Sequence, residues 1–382
     1  MTLVGAGGNI GSHLVPQLAR LADLKRVVLI DMDAYESSNL MSQDIRPGDK
    51  GRRKAAVQAR RLRRIRPELT VVAIDAPVET VPLGKLRSDV VLTALDSRRS
   101  RQHVNEAVWR LGALWIDAGV DAGKLLARIS MFMPGPRQPC LECTWDDRDY
   151  AQLEQRYSCH PADHHQFSTN APSALGALAA ALTTLECRKL LGGERGPDLF
   201  GRHILVDAAH HGTDVTAFRR NADCRLVDHS PWRIRRLDRA PSQLTIAEAL
   251  ELRVVDGDGV AGIRVEGSSF VTRLTCSRCG KVERLLRSLV SLQAGARRCR
   301  CCGGALIAGA FDLLERLEAP HLTAWSSRRT LRSIGLRSGD VISVGTPDRE
   351  SHYELANEPT RTAQLRSAVR GNDGRQDSAE LS

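Results

Sequence analysis

Apolar residues in the first 120 or so positions follow two rhythms. Short unbroken runs occur at Leu3-Val4, Val27 to Ile30, Val71 to Ile74, Val90 to Ala94 and Leu114 to Ile116. Between them, near 11–22, 52–66 and 98–111, apolar positions recur at helical spacing. The short runs predict strands and their alternation with helices predicts an α/β fold, a doubly wound, mostly parallel sheet covered on both faces. From Ala127 to Met133 the alternation predicts an antiparallel strand, and Pro134 to Cys143 reads as a loop. A polar stretch, 144–170, precedes a small-residue helix from Ala171 to Leu191 that Gly192-Gly193 stops, and 203–218 reads as a strand pair. A second unit follows, in which 330–344 reads as a turn and strand. The expected organisation is a nucleotide-binding domain at 1–230, a basic linker at 231–244, a small domain with its own cysteine framework at 245–358, and a disordered polar tail at 359–382.

Composition narrows the function classes. Of 382 residues 42% are hydrophobic and 26% charged, ordinary for a soluble globular protein. No apolar run reaches the roughly 18–20 residues of a membrane span and no signal segment opens the chain, which predicts no membrane partner and a cytoplasmic location. The net charge is +10, yet the arginines are dispersed, at Arg60, Arg61, Arg63, Arg64 and Arg66, then Arg233, Arg235 and Arg236, then Arg328 and Arg329. That dispersal favours a solvated basic face or a dock for an acidic protein over nucleic acid.

Candidate chemistry begins at the first strand. Leu3-Val4 runs into Gly5-Ala6-Gly7-Gly8-Asn9-Ile10-Gly11, and the second strand ends at Asp31. Glycines let backbone N–H groups approach a phosphate at a helix N-terminus, and an acid closing the second strand can take both ribose hydroxyls. This Rossmann-like arrangement suits NAD as well as ATP. Gly51-x-x-Lys54 and Asp96 shift the balance to ATP, because hydride transfer needs neither a phosphate-gripping lysine nor a Mg²⁺-binding aspartate. Taken singly, Asp96 reads as a helix-cap aspartate and Lys54 as a surface lysine.

Ten cysteines are present, seven of them in or beside C-x-x-C pairs, a metal pattern in a chain without a signal segment. Cys276-x-x-Cys279-Gly280 and Cys299-x-Cys301-Cys302-Gly303 can deliver four thiolates, from Cys276, Cys279, Cys299 and Cys302, to one Zn²⁺ in a zinc ribbon, with Cys301 a bystander. Cys140-x-x-Cys143 with Cys224 and His229 makes a possible Cys₃His site; the alternative is a lost site with residual thiols. Cys187 reads as core.

In order and spacing these elements resemble the ThiF/MoeB-type adenylyltransferases (the HesA/MoeB/ThiF group), bacterial relatives of ubiquitin-activating enzymes. The resemblance covers residues 2–230 and rests on the glycine turn, Leu29-Ile30-Asp31-Met32-Asp33, Ser38-Asn39-Leu40-x-x-Gln43, Gly51-x-x-Lys54, Asp96 with Arg101 and Asn105, Cys140-x-x-Cys143 and Arg220-Asn221-x-x-Cys224. It implies ATP-dependent adenylylation, with Mg²⁺, of the C-terminal glycine carboxylate of a ubiquitin-like or sulfur-carrier protein, by a homodimer. Gly5, Gly7, Gly8 and Gly11 would cradle the nucleotide, Asp31 hold the ribose, Asn39 and Lys54 contact phosphates, and Asp96 hold Mg²⁺. Cys159, followed by His160, lies where some relatives carry a thiol that forms a covalent bond to the activated carrier. Three features differ from the family pattern. Ser42 stands at a usual arginine, with Arg46, Arg52 and Arg53 the nearby cations that could replace it. The turn reads G-x-G-x-x-x-G, one residue longer than usual. The chain opens on the first strand, without the N-terminal helix that in relatives carries an arginine to a partner subunit. Two other classes remain: an NAD-dependent oxidoreductase, and a non-catalytic scaffold.

Overall fold

Strands buried on both faces set the first layer. The computed structural model describes residues 1–154, 171–194, 199–226, 229–252, 260–293 and 297–359. Two units are distinguished, Met1–Val81 with Leu86–Trp232, and Pro82–Lys85 with the chain from Arg233 onward. In the first, β1 (Thr2–Val4), β2 (Arg26–Ile30), β3 (Thr70–Ile74), β4 (Val90–Thr93) and β5 (Leu114–Asp121) run parallel in the order β3-β2-β1-β4-β5. Antiparallel β6 (Leu126–Phe132), β7 (Arg202–Asp207) and β8 (Gly212–Ala217) complete an eight-stranded sheet.

The helices are α1 (Asn9–Leu18), α2 (Lys54–Ile65), α3 (Arg98–Leu111), α4 (Asp147–Glu154) and α5 (Ser173–Leu191). Leu3, Leu29, Leu92, Ile116 and Ile129 share one core with Leu14 and Leu18 of α1, Leu62 of α2 and Ala179 and Ala180 of α5. That inward set takes every second strand residue, as the pleat requires. The first helix, expected near 11–22, lies at Asn9–Leu18. It starts earlier because Gly8 can serve as an N-cap, and Ala19 ends it.

In the second unit β9 (Ile234–Arg236), β10 (Gly262–Val265), β15 (Arg316–Glu318), β16 (Val341–Thr346) and β17 (Arg349–Glu354) form a sheet ordered β15-β10-β16-β17-β9. Ile263, Ile342, Val344 and Tyr353 pack with Ile246 and Ala249 of α6 (Ile246–Leu250) and with Leu331 and Ile334. The expected turn and strand are found as a 3-10 turn at Arg332–Ile334 and β16. Residues 231–244, expected as a linker, carry β9, which pairs in parallel with β17. Three residues are too few to show strand periodicity in sequence. A smaller sheet holds β11 (Phe270–Cys276), β12 (Val282–Ser288), β13 (Leu306–Ile307) and β14 (Leu313–Leu314). No described helix is long and apolar enough to cross a membrane.

Candidate functional site

Strand order reverses between β1 and β4, and at such a switch point the loops leaving neighbouring strands part to form a crevice. The turn after β1 is pinned there. Gly5, at φ +81°, donates its N–H to the Ile30 carbonyl at 2.9 Å. A Cβ on Gly5 would stand 2.3 Å from the Ala94 carbonyl oxygen, so the turn lies directly against the segment leaving β4. A Cβ on Gly7 would stand 2.4 Å from the Cβ of Lys54, so only glycine admits the start of α2. Gly8 is the N-cap of α1 and Gly11 lies in its first turn, where the N–H groups of a helix are open to an anion.

Asp31 follows β2 and is buried; its Oδ2 accepts the Gly7 N–H at 2.8 Å and its Oδ1 the Asp33 N–H at 3.1 Å. Burial raises its pKa, opposed by those two N–H groups and by Lys54. Lys54 opens α2, its Nζ 3.1 Å from Asp33 Oδ2. Its backbone N–H donates to the Asp33 carbonyl at 2.8 Å, which holds the start of α2 against the Asp31–Asp33 segment. Asn39 is buried in a 3-10 turn, where its Oδ1 accepts the Glu36 N–H at 2.9 Å.

Asp96 is exposed, three residues beyond β4. The cap of α3 is Ser97, whose Oγ accepts the Ser100 N–H at 3.2 Å, so Asp96 is not engaged as the cap. Its loop is held by Arg101, which donates to the Leu95 carbonyl and pairs with Asp117 at 3.2 Å. Asp117 is fully buried and also takes Arg128 at 2.7 Å and the Thr93 hydroxyl at 2.6 Å. The structure therefore brings the glycine turn, Asp31, Lys54 and the loop that carries Asp96 to one end of the sheet.

The cations near Ser42 divide. Arg53 is engaged by Asp75 and the Met32 carbonyl, whereas Arg46 and Arg52 are exposed with no side-chain partner among the described residues. One residue was not singled out in the sequence: Asn9, whose Nδ2 donates to the Ser42 carbonyl at 2.6 Å and the Ala171 carbonyl at 3.1 Å. It ties the glycine turn to both flanking segments. Its place in the turn was the available signal.

Two thiol clusters form. Cys140, Cys143, Cys224 and His229 offer ligand atoms within 4.8 Å of one another. The Cys140 and Cys224 sulfurs are 3.6 Å apart, and Cys143 Sγ lies 3.3 Å from His229 Nε2. Zn–S bonds of about 2.3 Å at tetrahedral angles put sulfurs about 3.8 Å apart, so the donor set fits zinc. Arg220 sits 3.3 Å from the other ring nitrogen of His229. Within this knuckle Glu142 is buried, its carboxylate accepting from Gln102 at 3.0 Å, Asn105 at 3.0 Å and Tyr150 at 3.2 Å.

Cys276, Cys279, Cys299 and Cys302 make the second cluster, with sulfurs 3.5 Å apart for Cys276 and Cys302 and 3.7 Å for Cys279 and Cys299. Gly280 and Gly303, at φ +69° and +70°, close its two knuckles. Backbone N–H groups of Cys279 and Arg278 hold the Cys276 thiol down to about 6, toward the thiolate a metal requires. Cys301 is exposed and outside the cluster, and Cys187 is buried. Cys159 and His160 lie outside the described residues, as does the tail beyond 359.

A family model described as ThiF family matches residues 1–226. Among curated proteins, ubiquitin-like modifier-activating enzyme 5 of Oryza sativa subsp. japonica is 28% identical over 158 residues, 37% of this chain and 37% of that protein. The protein of the same name from Dictyostelium discoideum is 24% identical over 224 residues, 54% of this chain and 56% of that protein. The chain thus spans about half the length, or less, of these relatives. Among solved structures, E. coli MccB with ATP aligns at a TM-score of 0.48 and 22% identity, covering 59% of this chain and 64% of that one. With its sheet, glycine turn and knuckle all inside the matched span, the chain belongs to the ThiF family.

Proposed function

We propose that the first unit binds ATP with Mg²⁺ and transfers AMP to the C-terminal glycine carboxylate of a ubiquitin-like or sulfur-carrier protein. One observation carries this reading: the glycine turn, Asp31, Lys54 and the Ala94–Asp96 loop converge at the strand switch point. In the reaction a carboxylate oxygen attacks the α-phosphorus, one P–O bond forms as another breaks, and pyrophosphate leaves. The carboxylate is already ionised at neutral pH, so no general base is needed. The barrier is the approach of an anion to a polyanion, which positive charge and alignment lower.

In this reading Gly5, Gly7, Gly8 and Gly11 let the chain lie against the phosphates, and Asp31 takes the ribose hydroxyls. Asn39 and Lys54 meet the phosphates, and Asp96 would hold Mg²⁺, which supplies further charge to the leaving group. The two thiol clusters are structural Zn²⁺ sites, the second of them making a zinc ribbon. The names of the curated relatives support a ubiquitin-like modifier as substrate class. An NAD-dependent reading would leave unused a lysine packed against the glycine turn.

The test is exchange of labelled pyrophosphate into ATP, with and without small proteins ending in Gly-Gly. Exchange by the parent and its loss in Asp96→Ala is the expected result; equal behaviour of the two proteins refutes the assignment, and a parent that never exchanges points to a scaffold.

A further inference from the structure

Basic residues that are scattered along the sequence of the second unit are gathered by its fold. Residues 270–309 hold eight Lys and Arg against one acid, Glu283. Along the β11–β12 ladder the pairing passes from Val271 with Arg287 to Arg273 with Arg284, three residues on β12 for two on β11. That is a bulge, and its extra residue returns Arg287 to the face of Arg284. Directly paired residues share a face, so Arg273, Arg284 and Arg287 stand on one side of the sheet. Thr275, paired with both Val282 and Ile307, extends the same face, and those two side chains are 49% and 56% exposed.

Like charges placed directly opposite each other oppose sheet formation. Arg273 and Arg284 nevertheless face each other, and only Arg273 has a carboxylate, Asp312 at 2.7 Å. Arg284 and Arg287 have none among the described residues. Burial and then the nearby Arg287 hold the Arg329 guanidinium below its ordinary pKa. That guanidinium lies 5.4 Å from the Trp325 ring centre, and Trp325 is 73% exposed. Phe311, on the turn joining β13 to β14 along the edge of β11, is 98% exposed.

We infer that this arginine face of the second unit, with the neighbouring rings of Phe311, next to the Arg273 partner Asp312, and of Trp325, beside Arg329, binds single-stranded nucleic acid. Each nucleotide presents a phosphate to a guanidinium and a flat base to an exposed aromatic ring, which is the pairing of groups found here. A purely acidic polypeptide would match the arginines and leave the exposed rings without a stacking partner. The dispersal of charge along the sequence argued against nucleic acid; the bulged ladder reverses that for this unit.

The test is fluorescence anisotropy of a labelled dT20 oligonucleotide against the full chain over a series of salt concentrations. Saturable binding is expected, weakened at least about tenfold in Arg273→Gln/Arg284→Gln/Arg287→Gln. The slope of log affinity against log salt should become shallower by about 2, at about 0.7 per lost phosphate contact. Phe311→Ala, at a side chain almost wholly in water, cannot unfold the unit and should weaken binding about fivefold or more. Zinc content and melting temperature should match the parent in both variants. The inference is overturned if dT20 does not bind saturably, if both variants bind like the parent, or if poly-L-glutamate binds as tightly as dT20 and is lost in the same triple variant. Pyrophosphate exchange reads the first unit separately, so failure of one reading leaves the other standing.

Discussion

The proposed nucleotide binding has a competitor already in place, because the ammonium of Lys54 rests on the carboxylate of Asp33. The pair is 3.1 Å apart, with the lysine side chain 10% exposed and the aspartate 51%. At an effective dielectric constant near 20, two unit charges at that distance attract by about 5 kcal/mol. Water at the half-exposed Asp33 screens most of this, and pairs of this kind contribute about 0.2–1 kcal/mol. A hydrogen bond to a charged phosphate contributes about 1.5–3 kcal/mol, so exchange of the carboxylate for phosphate is favourable. Lys54→Met keeps the stem that packs at Gly7 and removes the charge; ATP affinity, read by calorimetry with Mg²⁺, should fall about 10- to 100-fold with little change in melting temperature. Asp33→Asn frees the lysine and should tighten ATP by no more than about fivefold. In the double variant the Asp33 substitution should have no further effect, since its consequence runs through Lys54. An unchanged affinity in Lys54→Met, or a loss in Asp33→Asn as large as that in Lys54→Met, would refute the reasoning, the second by showing that Asp33 itself meets the ligand.

Gly11→Ala should destabilise the first unit by about 1–3 kcal/mol in calorimetry, because the new Cβ would lie 2.1 Å from the Gly5 carbonyl oxygen, a backbone atom with nowhere to retreat. An unchanged melting temperature would show that α1 does not pack on the turn as described. Metal analysis should find zinc at both clusters, with Cys140→Ser and Cys276→Ser each removing a different equivalent. Chelation should expose the β11–β12 amides to hydrogen exchange before those of β1 to β5, and protection of that hairpin without metal would count against a structural site. His203 is held down to about 4 by burial and then by Arg128. The unfolded chain therefore binds a proton first, so this stability is complete above about pH 6.5 and declines as pH falls toward 4. His203→Gln should flatten melting temperature against pH in that window, and an unaltered profile would assign the acid limb to another group.

The parallel half of the first sheet was legible because strands covered on both faces leave unbroken apolar runs, and the glycine turn was legible because its residues lie within one short segment between β1 and α1. What escaped depends on residues far apart. Helix α4 spans eight residues and is polar at most positions, too short for its periodicity to stand out in sequence. Glu142 looked like an ordinary residue between two cysteines, and only the fold brings Gln102, Asn105 and Tyr150 to its carboxylate. The Asp117 network joins Thr93, Arg101 and Arg128 from three separate elements, so no motif announces it. The arginine face of the second unit needed the register and its bulge, since Arg284 and Arg287 are three apart and a regular strand would place them on opposite sides.

These long-range contacts give α3 a task that neither of its ends has alone. Near its N-terminus Arg101 fastens the Leu95 carbonyl, one residue before the proposed magnesium ligand. One position and four positions further on, Gln102 and Asn105 grip the carboxylate of Glu142, and Asn105 also accepts the Leu141 N–H at 3.1 Å. The thiol knuckle and the Asp96 loop are therefore attached to the same two turns of helix. A buried carboxylate with three donors is costly to disturb, because any partner lost leaves charge without solvation. It follows that the knuckle is more than a clamp for the chain after β6. By fixing α3 it fixes the loop at the strand switch point, and a metal bound there would contribute to the alignment of the proposed nucleotide site without touching the nucleotide.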